Sequence, residues 1–277
     1  MKTVTLPSGE AVPALGQGTW NIGDDSNTRA EEIATLRCGL DLGLTLIDTA
    51  EMYGEGAAEG LVAEALAGRR DEAFIVSKVY PHNASKRGTV QACERSLARL
   101  KTDRIDLYLL HWRGSVPFAE TIGAMQALQA AGKIRHFGVS NLGIADMREW
   151  VKAPGGAAVA TNQILYNLTR RSPEWDLIPW LRERRIPVMA YSPIEQAHLT
   201  RDRRLIAFAA AHGMTTAQAA LAWLLAKEDV IVIPKASRRR RVTENAAARD
   251  IRLTLAQLAE LDRLFAPPTG PVPLEML

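Results

Sequence analysis

The run LTLIDTA at residues 44–50 is an apolar segment of strand length that ends on a carboxylate, Asp48, and its shape recurs along the chain. The matching runs are LGQGTW (15–20), FIVSKV (74–79), IDLYLLHW (105–112), IRHFGVSN (134–141), VATNQI (159–164), PVMAYSP (187–193) and VIVIPKA (230–236). From the second run onward each ends near a polar residue. Asp48, Lys78, His111, Ser140, Gln163, Ser192 and Lys235 follow one another at intervals of 23 to 43 positions. Such intervals leave room for a helix between strands, which is a βα repeat with a parallel sheet covered by helices.

The intervening segments carry helical patterns. Thr28 and Glu31 read as a capping box ahead of Ile33, Leu36 and Leu40. Leu61, Val62, Ala65 and Leu66 form a stripe that stops at Gly68, and Val90, Cys93, Leu97 and Leu100 repeat at helical spacing. Phe118, Ile122, Met125 and Leu128 do the same, and further helices are expected at 144–151, 177–184, 205–212, 216–227, 242–249 and 254–265. Eight such units close into a barrel, whereas a doubly wound sheet has fewer strands and a glycine-rich first turn. The chain has no GxGxxG or P-loop string, and Gly16-Gln17-Gly18 is followed by Thr19-Trp20 rather than by a helix. The expected fold is therefore α/β, a (β/α)8 TIM barrel in a single domain over residues 1–277. Before it, Pro7-Ser8-Gly9 between Thr3–Leu6 and Ala11–Leu15 reads as an N-terminal β-hairpin.

Composition narrows the class of function. With 277 residues, 47% hydrophobic and 23% charged, the chain can bury a large core, and its net charge of +3 is spread among acids. Neither a nucleic-acid surface nor a membrane surface is expected, and a monomer is the default. No segment has the apolar length of a signal peptide or a membrane span, so a cytoplasmic location is expected. Cys38 and Cys93 lie at helical spacing among apolar residues, as buried reduced thiols would. His82, His111, His136, His198 and His212 lack metal-ligand spacing, so a metal site, and with it a metal-dependent barrel hydrolase, is not expected.

In a barrel the reacting groups gather at the C-terminal ends of the strands. Asp48, Lys78 and His111 should meet there, with Tyr53 on the loop after Asp48. Taken singly, each has an ordinary reading: a helix cap, a solvated lysine, a core histidine, a loop aromatic. Three successive strands ending in ionisable groups are hard to explain by packing, which favours apolar side chains. Together they suit proton delivery to a carbonyl that is receiving hydride, because the developing oxyanion needs a nearby donor. Tyr53 would be that general acid. Lys78 is expected to lower its pKa, Asp48 to keep Lys78 charged, and His111 to orient the carbonyl if its tautomer allows.

The strings GQGTW, LTLIDTAEMYG, SKV, DLYLLHW, GKIRHFGVSN, TNQILYN, MAYSP and IPKAS resemble, in order and across nearly the whole chain, the signature segments of aldo-keto reductases. The likeness is greatest to small bacterial members that reduce methylglyoxal and related 2-oxoaldehydes. It implies the catalytic set Asp48, Tyr53, Lys78 and His111, and NADPH (NADP+) as cofactor. By position it implies that Ser140, Asn141 and Gln163 bind the nicotinamide carboxamide and that Tyr191 stacks on its ring. Thr19, Asp48, Ser192, Pro193 and Ile194 would then lie along the dinucleotide. Lys235 and Arg241 would bind the 2′-phosphate, with Asn245 near the adenine.

Two departures accompany the likeness. Ala236 stands where many relatives have serine, so a phosphate contact is either missing or supplied by Ser237. Glu195-Gln196-Ala197-His198 stands where relatives often have glycine, which bears on how that loop folds over the pyrophosphate. Arg238–Arg240 either support the phosphate site or face solvent. Trp20, Tyr80 and Trp112, with His111 and with Met52 nearby, are expected to wall a pocket for a small carbonyl substrate. Trp150, Trp175, Trp180 and Trp223 read as packing residues, and the short proline-rich tail after Phe265 reads as leaving the pocket open. The rival reading is an NADPH-binding redox sensor or accessory protein with slow turnover.

Overall fold

The computed structural model describes residues 2–277, and it places strand and helix in the expected alternation. A hairpin, β1 (Thr3–Thr5) and β2 (Ala11–Pro13), pairs antiparallel with Val4 opposite Val12. Eight strands follow: β3 (Gln17–Gly18), β4 (Leu46–Asp48), β5 (Phe74–Val79), β6 (Ile105–Leu110), β7 (Ile134–Ser140), β8 (Asn162–Leu165), β9 (Val188–Tyr191) and β10 (Val230–Val232). They pair in parallel in chain order. The ring closes because Leu15 and Gly18 bridge to Val232 and Lys235, with Gly16 N donating to Val232 O at 2.9 Å. Every residue of β5 and β6 is buried, as expected of parallel strands with helices outside and a packed barrel interior. Gly16 has a steric reason to be glycine, since a Cβ there would lie 2.7 Å from the Leu46 backbone oxygen.

The helices are α1 (Arg29–Asp41), α2 (Ala57–Ala65), α3 (Lys86–Leu100), α4 (Phe118–Ala130), α5 (Ile144–Lys152), α6 (Leu177–Glu183), α7 (Arg203–Ala211), α8 (Thr216–Leu225), α9 (Arg239–Ala247) and α10 (Leu255–Leu264). Among the described residues no single helix is long and apolar enough to cross a membrane. The expected capping box at Thr28 and Glu31 does not form. The Thr28 hydroxyl donates instead to Asp25 O at 3.0 Å, and it is Glu32 that turns back to accept from Gly23 N. Capping boxes occur at Thr215 with Gln218 and at Thr254 with Gln257, and each fixes the first turn of its helix.

Two other expectations are corrected. Helix α9 begins at Arg239 rather than Val242, so the arginine run forms its first turn, on the exposed side. Trp175 is 45% exposed because it follows the Ser172–Glu174 turn and lies outside α6, whereas Trp150 and Trp223 are buried. Trp180 packs partly against the core, and both cysteines are free, with Cys93 buried and Cys38 less so.

Candidate active site

The strand ends converge as the repeat requires. The Lys78 ammonium is fully buried near the end of β5 and donates to Asp48 Oδ2 at 2.8 Å, to Thr49 O at 2.8 Å and to Tyr53 Oη at 3.2 Å. Those are all three of its protons. The other Asp48 oxygen accepts from Gln163 Nε2 at 2.7 Å, so the β8 amide braces the pair from across the barrel. Thr19 spends its hydroxyl on the Asp48 carbonyl at 2.9 Å, which fixes the end of β4.

Tyr53 sits in a short turn ahead of α2, and Gly54 and Gly56 of that turn take φ of +56° and +94°. Its ring lies 6.0 Å from that of His111, edge to face, and its hydroxyl lies in the dry region around Asp48 and Lys78. There the expectation for its acidity is reversed. Loss of water first, and the facing Asp48 carboxylate second, push the Tyr53 phenol above its ordinary value rather than below it. Tyr53 is thus held protonated, and Lys78 touches the atom on which charge would appear if the proton left. Burial pulls Lys78 down and Asp48 opposes that pull.

His111 follows β6, its N–H continuing the ladder to Val79 O at 3.0 Å. Burial and the nearby Lys78 bring its pKa down to about 2, so its ring is neutral at any working pH. Nδ1 is buried without a partner among the described residues. Tyr80 and Trp112 stand 6.4 Å and 4.7 Å from the His111 ring, centroid to centroid. Trp20, 42% exposed, lies beyond the end of β3. Tyr53, Tyr80 and Trp112 thus cluster around the His111 ring.

Beside this lies a row of amides and hydroxyls. Ser140 Oγ donates to Gln163 O at 2.9 Å, and Asn141, at φ +57°, donates to His111 O at 3.2 Å. Tyr191 at the end of β9 donates to Asn141 Oδ1 at 2.9 Å. Further along the rim Lys235 is half-buried, with Glu32 and Asp24 at longer range and no hydrogen bond or ion pair of its own among the described residues. Arg241 is exposed and pairs with Glu244 at 2.8 Å. Ser237 lies between them, partly buried, and Asn245 is buried on α9.

Several contributors were absent from the sequence reading. Glu51, buried, accepts from Tyr80 N at 2.8 Å and from Asn83 Nδ2 at 3.1 Å, which ties the Tyr53 loop to the strand end that bears Tyr80. Its place between Asp48 and Tyr53 was the available signal. The tail, irregular as expected, does not leave the mouth free, because Leu274 packs on the core and Leu277 N donates to Tyr191 Oη at 3.4 Å. Among the described residues no group of three His, Cys, Asp or Glu side chains is placed to hold a metal.

Residues 14–266 match the aldo/keto reductase family. The chain is 49% identical to methylglyoxal reductase YeaE of Escherichia coli strain K12, over all of this chain and 99% of that protein. It is 32% identical to a glyoxal reductase of Bacillus subtilis strain 168, covering 99% and 97% of the two chains. A crystal structure of an aldo/keto reductase from Klebsiella pneumoniae, in complex with NADP and acetate, superposes with a TM-score of 0.97 at 48% identity, covering 100% of this chain and 99% of that one.

Proposed function

The chain belongs to the aldo/keto reductase family, and from that premise we propose that it is an NADPH-dependent reductase of small aldehydes, 2-oxoaldehydes or ketones, with Tyr53 as general acid. The observation that carries this reading is how Lys78 uses its protons. Because its third N–H points at Tyr53 Oη, the phenol oxygen is an acceptor on that side and its own proton is left to point into the pocket. A donor aimed where a carbonyl oxygen would sit is what reduction of a carbonyl needs.

The residues present fit the dinucleotide. Lys235 offers a half-buried ammonium with no partner among the described residues, as a bound phosphate monoester would require, and the exposed Arg241 lies one turn into α9. Ser140, Asn141, Gln163 and Tyr191 would hold the nicotinamide end, with Thr19, Ser192, Pro193 and Ile194 along its length and Ser237 and Asn245 at the adenosine end. When bound, NADPH supplies the hydride.

The remaining work falls to the chain's own groups. His111, neutral, donates a ring N–H to the substrate carbonyl and orients it. As negative charge grows on that oxygen, Tyr53 releases its proton to it, and Lys78 stabilises the phenolate that forms. Asp48 keeps Lys78 charged in a site that would otherwise strip its proton. Trp20, Tyr80 and Trp112 keep water out and favour small or flat carbonyl compounds. The likeness to methylglyoxal and glyoxal reductases supports that substrate class. Following NADPH absorbance with methylglyoxal tests the reading. Steady oxidation that disappears in Tyr53→Phe is the expected result, and tight NADPH binding without turnover would favour a sensor instead.

A further inference from the structure

The loop after β9 is held in an unfavourable shape. Ser192, Glu195, Gln196 and Ala197 all have positive φ, between 48° and 70°, although none is glycine. Left-handed backbone costs an L-residue about 1 kcal/mol or more, so other contacts must impose it. They converge on the Glu195 carboxylate, which accepts from Asn167 Nδ2 at 2.6 Å and from Arg170 Nε at 2.8 Å. Asn167, fully buried, also donates to Ser192 O at 2.9 Å. Its own Oδ1 accepts from Thr169 N and Oγ1, each at 2.9 Å, and from Arg170 N at 3.1 Å. The turn at residues 167–170 is therefore a stiff mount for one guanidinium.

The other edge of that guanidinium faces the C-terminal tail, with Arg170 Nη1 donating to Glu275 Oε1 at 2.5 Å. Two residues later the tail reaches Tyr191 Oη through Leu277 N. Behind the tail is a cavity of about 360 Å3 lined by Leu168, Phe265, Pro268 and Val272 among others. Leu274 packs on the core here, and the partly exposed Arg170–Glu275 pair ties the same stretch to the 167–170 turn by a charge-assisted contact.

We propose that Arg170 is a positioning residue that clamps the strained loop after β9 and the C-terminal tail to each other, so that the dinucleotide leaves only when both flanks part. The proposal rests on the NADPH reading above. It gives the Glu195-Gln196-Ala197-His198 departure a purpose: where glycine would take left-handed φ freely, this chain uses a carboxylate and a guanidinium to hold it.

The test is NADPH release by the full chain, followed as loss of nucleotide fluorescence after mixing with excess NADP+. Glu275→Gln, a change on the exposed tail, should speed release about threefold, the scale of a partly exposed ion pair. In an Arg170→Ala background the same change should add nothing, and Arg170→Lys should restore part of the wild-type rate. Release unchanged by Glu275→Gln, or accelerated equally with and without Arg170, overturns the clamp while leaving the reductase reading intact. Wild-type protein that fails to bind NADPH overturns both.

Discussion

Each end of the barrel carries a cluster of ionisable side chains, and the two differ in what they leave unsatisfied. At the N-terminal end Asp106 of β6 accepts from Arg70 Nη2 and Ile75 N at 2.8 Å and from Arg135 Nη1 at 3.1 Å. Arg135 passes on to both oxygens of Glu10 at 2.7 Å, and His136 closes the chain on Glu10 at 2.6 Å, which clasps the hairpin turn to β7. Both oxygens of each carboxylate are taken. At the C-terminal end Lys78 and Asp48 are equally well paired, yet among the described residues His111 Nδ1 has no partner, Lys235 is unpaired, and Tyr53 Oη accepts from Lys78 without a partner for its own proton. A saturated cluster stabilises. One that stops short of saturation retains capacity for a ligand.

Changes at the two ends should therefore separate activity from stability. The largest effect is expected from Tyr53→Phe, which should lower kcat about a thousandfold, the scale of general acid catalysis, without moving the thermal midpoint. Surviving turnover would mean that the rim's free proton is not the one used. Asp106→Asn should do the reverse, with about 2 kcal/mol lost in urea titration and kcat unchanged, since it removes a buried carboxylate that accepts from two partly exposed arginines. A fall in activity without a loss of stability would dissolve the contrast.

His111 joins the two properties. Its folded pKa of about 2 lies below the ordinary 6.5, so between those values the unfolded chain binds a proton that the folded chain refuses. Stability is therefore full above pH 6.5 and declines as the pH falls through that window, by about 2 kcal/mol at pH 5. Replacing His111 with Gln should flatten the difference between urea titrations at pH 5 and pH 8, and an unaltered slope would count against the buried neutral ring. The smallest effect is expected at the exposed Arg241: Arg241→Ala should reduce the preference for NADPH over NADH by about threefold to tenfold. An unchanged cofactor ratio would leave the phosphate to Lys235.

How far the sequence carried the reading depended on range. Strands such as 74–79 and 105–110 were legible because burial on both faces makes them continuous apolar runs, and the polar residues that end them marked the reacting rim. Asp48, Lys78 and His111 followed from that regularity, whereas Tyr53, on the loop after Asp48, was marked by the chemistry and by the family likeness. Thr28 misled because its local motif competes with a turn held by Asp25, a balance that spacing does not express. Glu51 passed unnoticed although it sits inside the string read most closely, since its partners Tyr80 and Asn83 are about thirty positions away.

What the sequence alone determined is periodic or contiguous: the βα repeat, the hairpin, the barrel, and the row of ionisable strand ends. The tertiary structure decided the quantities that depend on surroundings. Whether Lys78 lowers the pKa of Tyr53, or burial and Asp48 raise it, is set by lost water and by charges from separate strands. The contact between Arg170 and Glu275, 105 positions apart, exists only because the tail folds back across the rim. Desolvation and long-range pairing are properties of packed space, and no local pattern of residues encodes them.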